Sequence, residues 1–225
     1  MMFEMTRFKS ITLLIGALLL SKTVLATSIP NEQLSQWVLT GKGFSAYDKS
    51  NDQVVLSEEP GSSGVMLISP SPLDENTILN FDIRPLTPES VLVTQINLSD
   101  IGPSKKVTFK KDYDGNMNVL AKEKESYFFA YHNAAHKRKP FVRKYPQKGD
   151  VQKELEELDK NLMTTQWYHV EIGKKNQTIW MKVDGKEIIK VDDPKPLHEG
   201  HIAFRLRGTT NNIAIAIIKN LTITP

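Results

Sequence analysis

Tyr131-His132-Asn133 and Arg143-Lys144 gather a phenol, an imidazole, an amide and two cations into one short stretch of chain. Residues 127–133 (YFFAYHN) and 141–145 (FVRKY) read as strands joined by a loop, and a hairpin would set them about 5 Å apart. That mixture suits β-elimination at a uronate. A cation or amide neutralises the carboxylate, the C5 proton becomes acidic, a His or Tyr takes it, and a Tyr can return a proton to the leaving oxygen. Tyr131 or His132 is the expected base. Arg143 is the expected neutraliser, because a guanidinium grips a carboxylate with two parallel bonds. Lys144 is the second cation on the same strand.

Alternation sorts the remaining polar strand residues into outward faces: Asp82 and Arg84; Gln95 and Asn97; Tyr127, Tyr131 and Asn133; Arg143 and Tyr145; Trp167, His169 and Glu171; Arg205 and Arg207. From these faces and the joining loop, Gln95, Asn97, Asn133, Lys139, Lys144 and Arg205 are the expected substrate contacts. The loop run 136–139 (HKRK) belongs to a stretch, 132–148, with six Lys or Arg and no acid. Such a local excess attracts an anion whatever the net charge. Two other readings stay open. Asp82 and Glu171 could serve a glycoside hydrolase, which needs two carboxyls about 5–10 Å apart. A non-catalytic glycan-binding module needs no reacting group at all.

Other chemistries find no motif. There is no Gly-x-Ser-x-Gly elbow, no HExxH, no phosphate loop and no cysteine. No cofactor and no catalytic metal are expected; His132 and His136 would share a metal only on a helix. Asp112, Asp114 and Asn116 offer oxygens at alternate positions, so a structural Ca²⁺ is the one ion to consider.

The start of the chain looks like an export signal. Arg7 and Lys9 precede the apolar run 11–20 (ITLLIGALLL), and Val24-Leu25-Ala26 forms a cleavage site. Residues 1–26 are therefore expected to be removed, with 27–225 as a single periplasmic or secreted domain and no stable membrane anchor after cleavage. The apolar run is short of the roughly 20 residues that span a bilayer. The formal charge is +3. With Arg7, Lys9, Lys22 and Glu4 gone the remainder is nearly neutral, so nucleic acid is not an expected partner. Polysaccharide or oligosaccharide, anionic in character, is.

The elements that must position these groups are strands. Residues 167–172, 179–189, 200–207 and 213–223 alternate, with an Asp184-Gly185 turn inside the second run. Earlier, 37–47 reads as a strand with a Gly41-Lys42-Gly43 kink, 53–56 and 65–69 flank Pro60-Gly61, and 77–84 alternates cleanly. In 91–98, Leu92, Thr94, Ile96 and Leu98 fall on one face. Residues 107–110 and 118–120 bracket a turn as a hairpin. One helix is expected over 150–162, capped by Asp150, with Val151, Leu155, Leu158 and Leu162 on one face. The sum is an all-β sandwich of two antiparallel sheets with one short helix in a connection.

Trp167, the VDG at 183–185, Asp193-Pro194, Pro196-Leu197, the IAFR at 202–205 and the IKNLTI at 218–223 resemble the concanavalin A-like lectin/glucanase jelly roll. Within it they resemble the 3-keto-disaccharide hydrolase type, and, with FDIRPL at 81–86, secreted proteins associated with pectin or rhamnogalacturonan breakdown. The resemblance implies a carbohydrate-active protein. The Glu-x-Asp-x-x-Glu strand motif of sandwich glucanases is absent, and Asn97 stands where the Gln-Ile-His of sandwich alginate lyases has its His.

Overall fold

The computed structural model describes residues 25–136, 141–146, 152–154, 162–209 and 211–225. The expected leader lies outside the described residues except for Leu25 and Ala26, and so do Lys139 and its neighbours 137–140.

Two antiparallel sheets pack face to face. The eight-stranded sheet runs β13 (Lys186–Asp192), β12 (Thr178–Val183), β11 (Tyr168–Lys175), β6 (Thr77–Pro85), β15 (Ile215–Thr224), β4 (Gln53–Glu58) and β3 (Gly43–Asp48), with β1 (Thr27–Ser28) beside β15. The seven-stranded sheet runs β10 (Gln152–Glu154), β9 (Phe141–Tyr145), β8 (Lys124–Asn133), β7 (Val91–Asp100), β14 (His201–Arg207), β5 (Val65–Ile68) and β2 (Val38–Gly41). This is the expected jelly-roll sandwich. On β6 the period of two holds throughout: Leu79, Phe81 and Ile83 are buried, and Asn80, Asp82 and Arg84 are half-buried. Between the sheets Phe204 meets Phe81 edge-on at 5.0 Å and stacks on Trp37 at 6.2 Å.

The 37–47 stretch is two strands, not one. β2 lies in the seven-stranded sheet and β3 in the other, and the chain crosses at Gly41, whose φ is +82°. A side chain there would strike the Gly64 carbonyl, so only glycine makes this crossing without strain.

The 107–120 region also departs from expectation. Residues 107–110 form no strand. Residues 118–120 belong to a helix, α2 (Met117–Glu123), capped by the Asn116 side chain, which accepts the Asn118 N–H at 2.9 Å. Asn at the cap competes well with a hairpin turn. With the preceding loop, α2 covers part of the outer face of the seven-stranded sheet. Met66, Ile68, Leu98 and Ala203 are buried there under Val107, Phe109, Tyr113 and Met117. That cover explains why Val91–Ser99 is buried on both faces.

The helix expected over 150–162 is not what forms at its described residues 152–154, and Asp150 and Val151 lie outside the described residues. Residues 152–154 are strand β10, paired with β9. The unsatisfied backbone of the β9 edge takes them up. Residues 155–161, with Leu155 and Leu158, lie outside the described residues. Leu162 is buried in the core. A short helix the sequence did not announce, α1 (Asn31–Ser35), buries Leu34.

Candidate functional site

β8 and β9 pair as expected, with Phe128 opposite Arg143 and Ser126 opposite Tyr145. Cross-strand partners share a face, and these four lie on the outer face. Phe128 stands edge-on to Tyr145 at 5.5 Å and stacks on Phe141 at 5.9 Å. On this aromatic floor Arg143 lies over the Phe141 ring at 4.5 Å. From β14, two strands away, Arg205 and Arg207 project to the same side. The three guanidiniums line a cavity of about 490 Å³ together with Asn133, His136 and the start of α2.

The electrostatics of this cavity are one-sided. Among its described lining residues there is no Asp or Glu. Arg205 is 2% exposed. Its Nη2 donates to the carbonyls of Ser63 (3.0 Å) and Gly115 (2.9 Å), and Arg207 Nη1 donates to Ser63 at 2.7 Å. Nε of Arg143 and Nε of Arg205 are buried with no hydrogen-bond partner among the described residues. Burial pushes the Arg205 pKa down, opposed by nearby Tyr113, Glu58 and Tyr145. An arginine stays charged regardless. Glu58 acts from a distance, since its Oε2 accepts the N–H groups of Gly208 and Ala214. The cavity thus holds desolvated positive charge without a carboxylate of its own, an arrangement an anionic ligand completes.

Of the expected site residues, Arg143, Asn133 and Arg205 meet in this cavity. The others do not. Tyr131 is fully buried between the sheets; its hydroxyl shares a hydrogen bond with Thr94 (3.2 Å), and burial raises its pKa. Tyr127, also expected outward, points inward too. A register shift puts His132 opposite Leu92 while Ala130 pairs Val93, so His132 follows Tyr131 onto the inner face. Neither expected base reaches the cavity. Gln95 is buried under α2, accepting from Ser126 and donating to Met66 Sδ. Asn97, at φ +53°, donates to the carbonyls of Glu75 and His198.

Lys144 serves the structure. It pairs at 2.8 Å with Asp193, which is completely buried, and also donates to the Lys195 carbonyl. Tyr127 donates to the same carboxylate at 2.6 Å. Tyr145, Arg207 and His136 are titratable cavity residues outside the expected set. Alternation had already set Tyr145 and Arg207 outward.

Burial lowers the His132 pKa to about 4, partly offset by the Pro88 carbonyl. The folded value lies below the unfolded one, about 6.5. The stability that neutral His132 preserves is therefore complete above about pH 6.5 and lost as pH falls toward 4. Relative to His132→Gln, the wild type should lose about 3 kcal/mol across that window, read by urea unfolding at stepped pH.

The acids of the hydrolase reading sit on the outer face of the other sheet. Asp82 is opposite His169, and Glu171 opposite Asn80, on adjacent strands. Each is engaged. Asp82 is bound by His169 Nδ1 (2.8 Å) and Asn220 (2.6 Å). Glu171 is bound by Trp180 Nε1 (2.6 Å) and Lys182 (2.9 Å). Burial alone would raise the Glu171 pKa, but Lys182 and Trp180 hold it below the usual carboxylate range. A general acid needs the opposite shift. Of the three residues offering oxygens to calcium, Asp114 accepts the Asn116 N–H, and Asn116 caps α2.

Residues 99–216 match the profile of a family described as "Domain of unknown function (DUF6250)", a span that holds all three cavity arginines. No curated protein matches the chain. A Bacillus subtilis protein of unknown function with a galectin-like fold is similar, with a TM-score of 0.68 and 13% identity over 88% of this chain and 94% of that one. The carbohydrate-binding module CBM66 from Bacillus subtilis has a TM-score of 0.54 and 12% identity over 84% and 96%. A Bacillus licheniformis beta-glucanase has a TM-score of 0.56 and 12% identity over 90% and 99%. At such identities the likeness is one of fold.

Proposed function

We propose that this chain, which belongs to the DUF6250 family, is an exported protein that binds an acidic polysaccharide or its oligosaccharides in the three-arginine cavity and cleaves it by β-elimination. The observation that carries the reading is Arg205, a desolvated guanidinium whose Nε has no partner among the described residues, beside Arg143 and Arg207 in a cavity whose described lining holds no carboxylate. A uronate supplies the missing anion. Proteins of the same fold include a beta-glucanase and a carbohydrate-binding module, in keeping with a glycan ligand.

The chemistry follows from the groups at hand. Arg143 and Arg205 bind the uronate carboxylate and favour the charge that builds on it as the C5 proton leaves. Tyr145 is the phenol among the described residues that line the cavity beside these arginines. As its phenolate it takes the C5 proton and becomes the neutral phenol. The C5 electron pair forms the C4–C5 double bond, the C4–O bond breaks, and the leaving oxygen receives a proton from Tyr145 or His136. A hydrolase would need two carboxyls here, and no described lining residue carries one.

The test is ultraviolet absorbance of unsaturated uronate ends. The protein from Thr27 onward would be mixed with pectic, alginate, ulvan-type and glycosaminoglycan polymers. A rise on one polymer is expected, falling by 100-fold or more in Tyr145→Phe while binding stays within a few-fold, as roughly expected for loss of a proton-transfer group. Flat traces with retained binding would make the chain a glycan-binding module instead.

A further inference from the structure

The outer face of the eight-stranded sheet carries a feature the cavity does not use. Gly173 on β11 lies opposite Trp180 on β12. A Cβ at Gly173 would come within 2.1 Å of the indole, so the ring lies flat on that strand. Trp180 Nε1 donates to Glu171 at 2.6 Å, which fixes the ring in place. The half-buried indole borders an open depression of about 360 Å³ together with Lys175, Lys182 and Lys190, against one acid, Glu187. Lys175 and Lys190 have no ion-pair partner among the described residues. The other two tryptophans are occupied. Trp37 is buried in the core, and Trp167 is covered by Arg84 at 4.8 Å and Lys219 at 4.3 Å.

The geometry points to this face as a second glycan-binding surface, stacking a sugar ring of an acidic polysaccharide on Trp180 while Lys175 and Lys190 meet its carboxylates. The ligand class rests on the cavity reading; the residues are separate. The apolar C–H face of a pyranose presents positive hydrogens to the negative face of the indole. The lysine excess complements an anionic chain. A sheet face suits an extended polymer, which can hold on here while another stretch of the chain, or a second chain, fills the cavity.

Native gels cast with polygalacturonate, alginate or chondroitin sulfate would test this by retardation of the migrating protein. On at least one polymer, Trp180→Ala should weaken retention by roughly 2- to 10-fold. Gly173→Ala, which drives the ring off the strand, should do likewise. If either fails to fold, the surface pair Lys175→Glu/Lys190→Glu carries the test and should abolish the same share of retention. Retention unchanged in the folded variants would overturn the inference. The cavity is read separately with Arg143→Ala. Loss there with none at Trp180 leaves the cavity reading standing and this one fallen; the reverse pattern does the opposite. A wild type retarded by none of the three overturns both.

Discussion

Arg205→Ala is expected to lower affinity for an acidic oligosaccharide by about 30- to 4,000-fold, the range set by the 2–5 kcal/mol loss when one partner of a buried charge contact is truncated. The residue is buried, holds the carbonyls of Ser63 and Gly115, and keeps an unpaired Nε at the cavity. Removing it strips a desolvated cation and releases the two backbone segments that frame the site. Arg205→Lys should not restore binding, because a tetrahedral ammonium lacks the planar fork that sets Nη2 on both carbonyls and leaves Nε for a ligand. Titration calorimetry of both variants checks this. Thermal unfolding on the same samples should show a smaller deficit, about 1–3 kcal/mol for carbonyls left without a donor.

Asp193→Ala is the second large effect, and it acts on stability. The carboxylate is fully buried, with Lys144 at 2.8 Å, the Tyr127 hydroxyl at 2.6 Å and the Lys195 N–H at 2.9 Å. It ties β9, β8 and the 193–197 segment together. Its loss leaves Lys144 as a nearly buried, unpaired cation, so unfolding free energy should drop by about 3–5 kcal/mol in urea melts. The double variant Asp193→Ala/Lys144→Met should recover much of that, because the stranded charge is then gone. A drop below 1 kcal/mol in the single variant would show that water reaches the pair.

The sandwich was legible because most strands bury one face only. Leu79, Phe81 and Ile83 on β6 and Val170 and Ile172 on β11 announce their sheet at a glance. The site was half legible for the same reason. Arg143, Arg205, Arg207 and Tyr145 alternate outward, yet alternation says nothing about which outward residues are neighbours across strands two apart. β8 defeated the method. It is apolar on both sides, so Tyr127 and Tyr131 carry no phase, and the bulge at Tyr131 turns His132 inward. A second bulge beyond Ile96, at Asn97, moves Leu98 from the core face to the cluster under α2. Bulges insert one residue and invert every face that follows. The covering helix was missed because Asn116 reads equally well as a turn residue and as a cap.

The measurement closest to the central claim is calorimetric titration of wild type and Arg143→Ala with a trigalacturonate and a neutral cello-oligosaccharide, at low and moderate salt. Arg143 Nε has no hydrogen-bond partner among the described residues, and the guanidinium rests on the Phe141 ring, so its loss reports chiefly on the cavity. The account predicts binding of the acidic sugar only, weakening as salt rises and falling by 30-fold or more in the variant. Equal affinity for both sugars, or an unchanged affinity in Arg143→Ala, would contradict it.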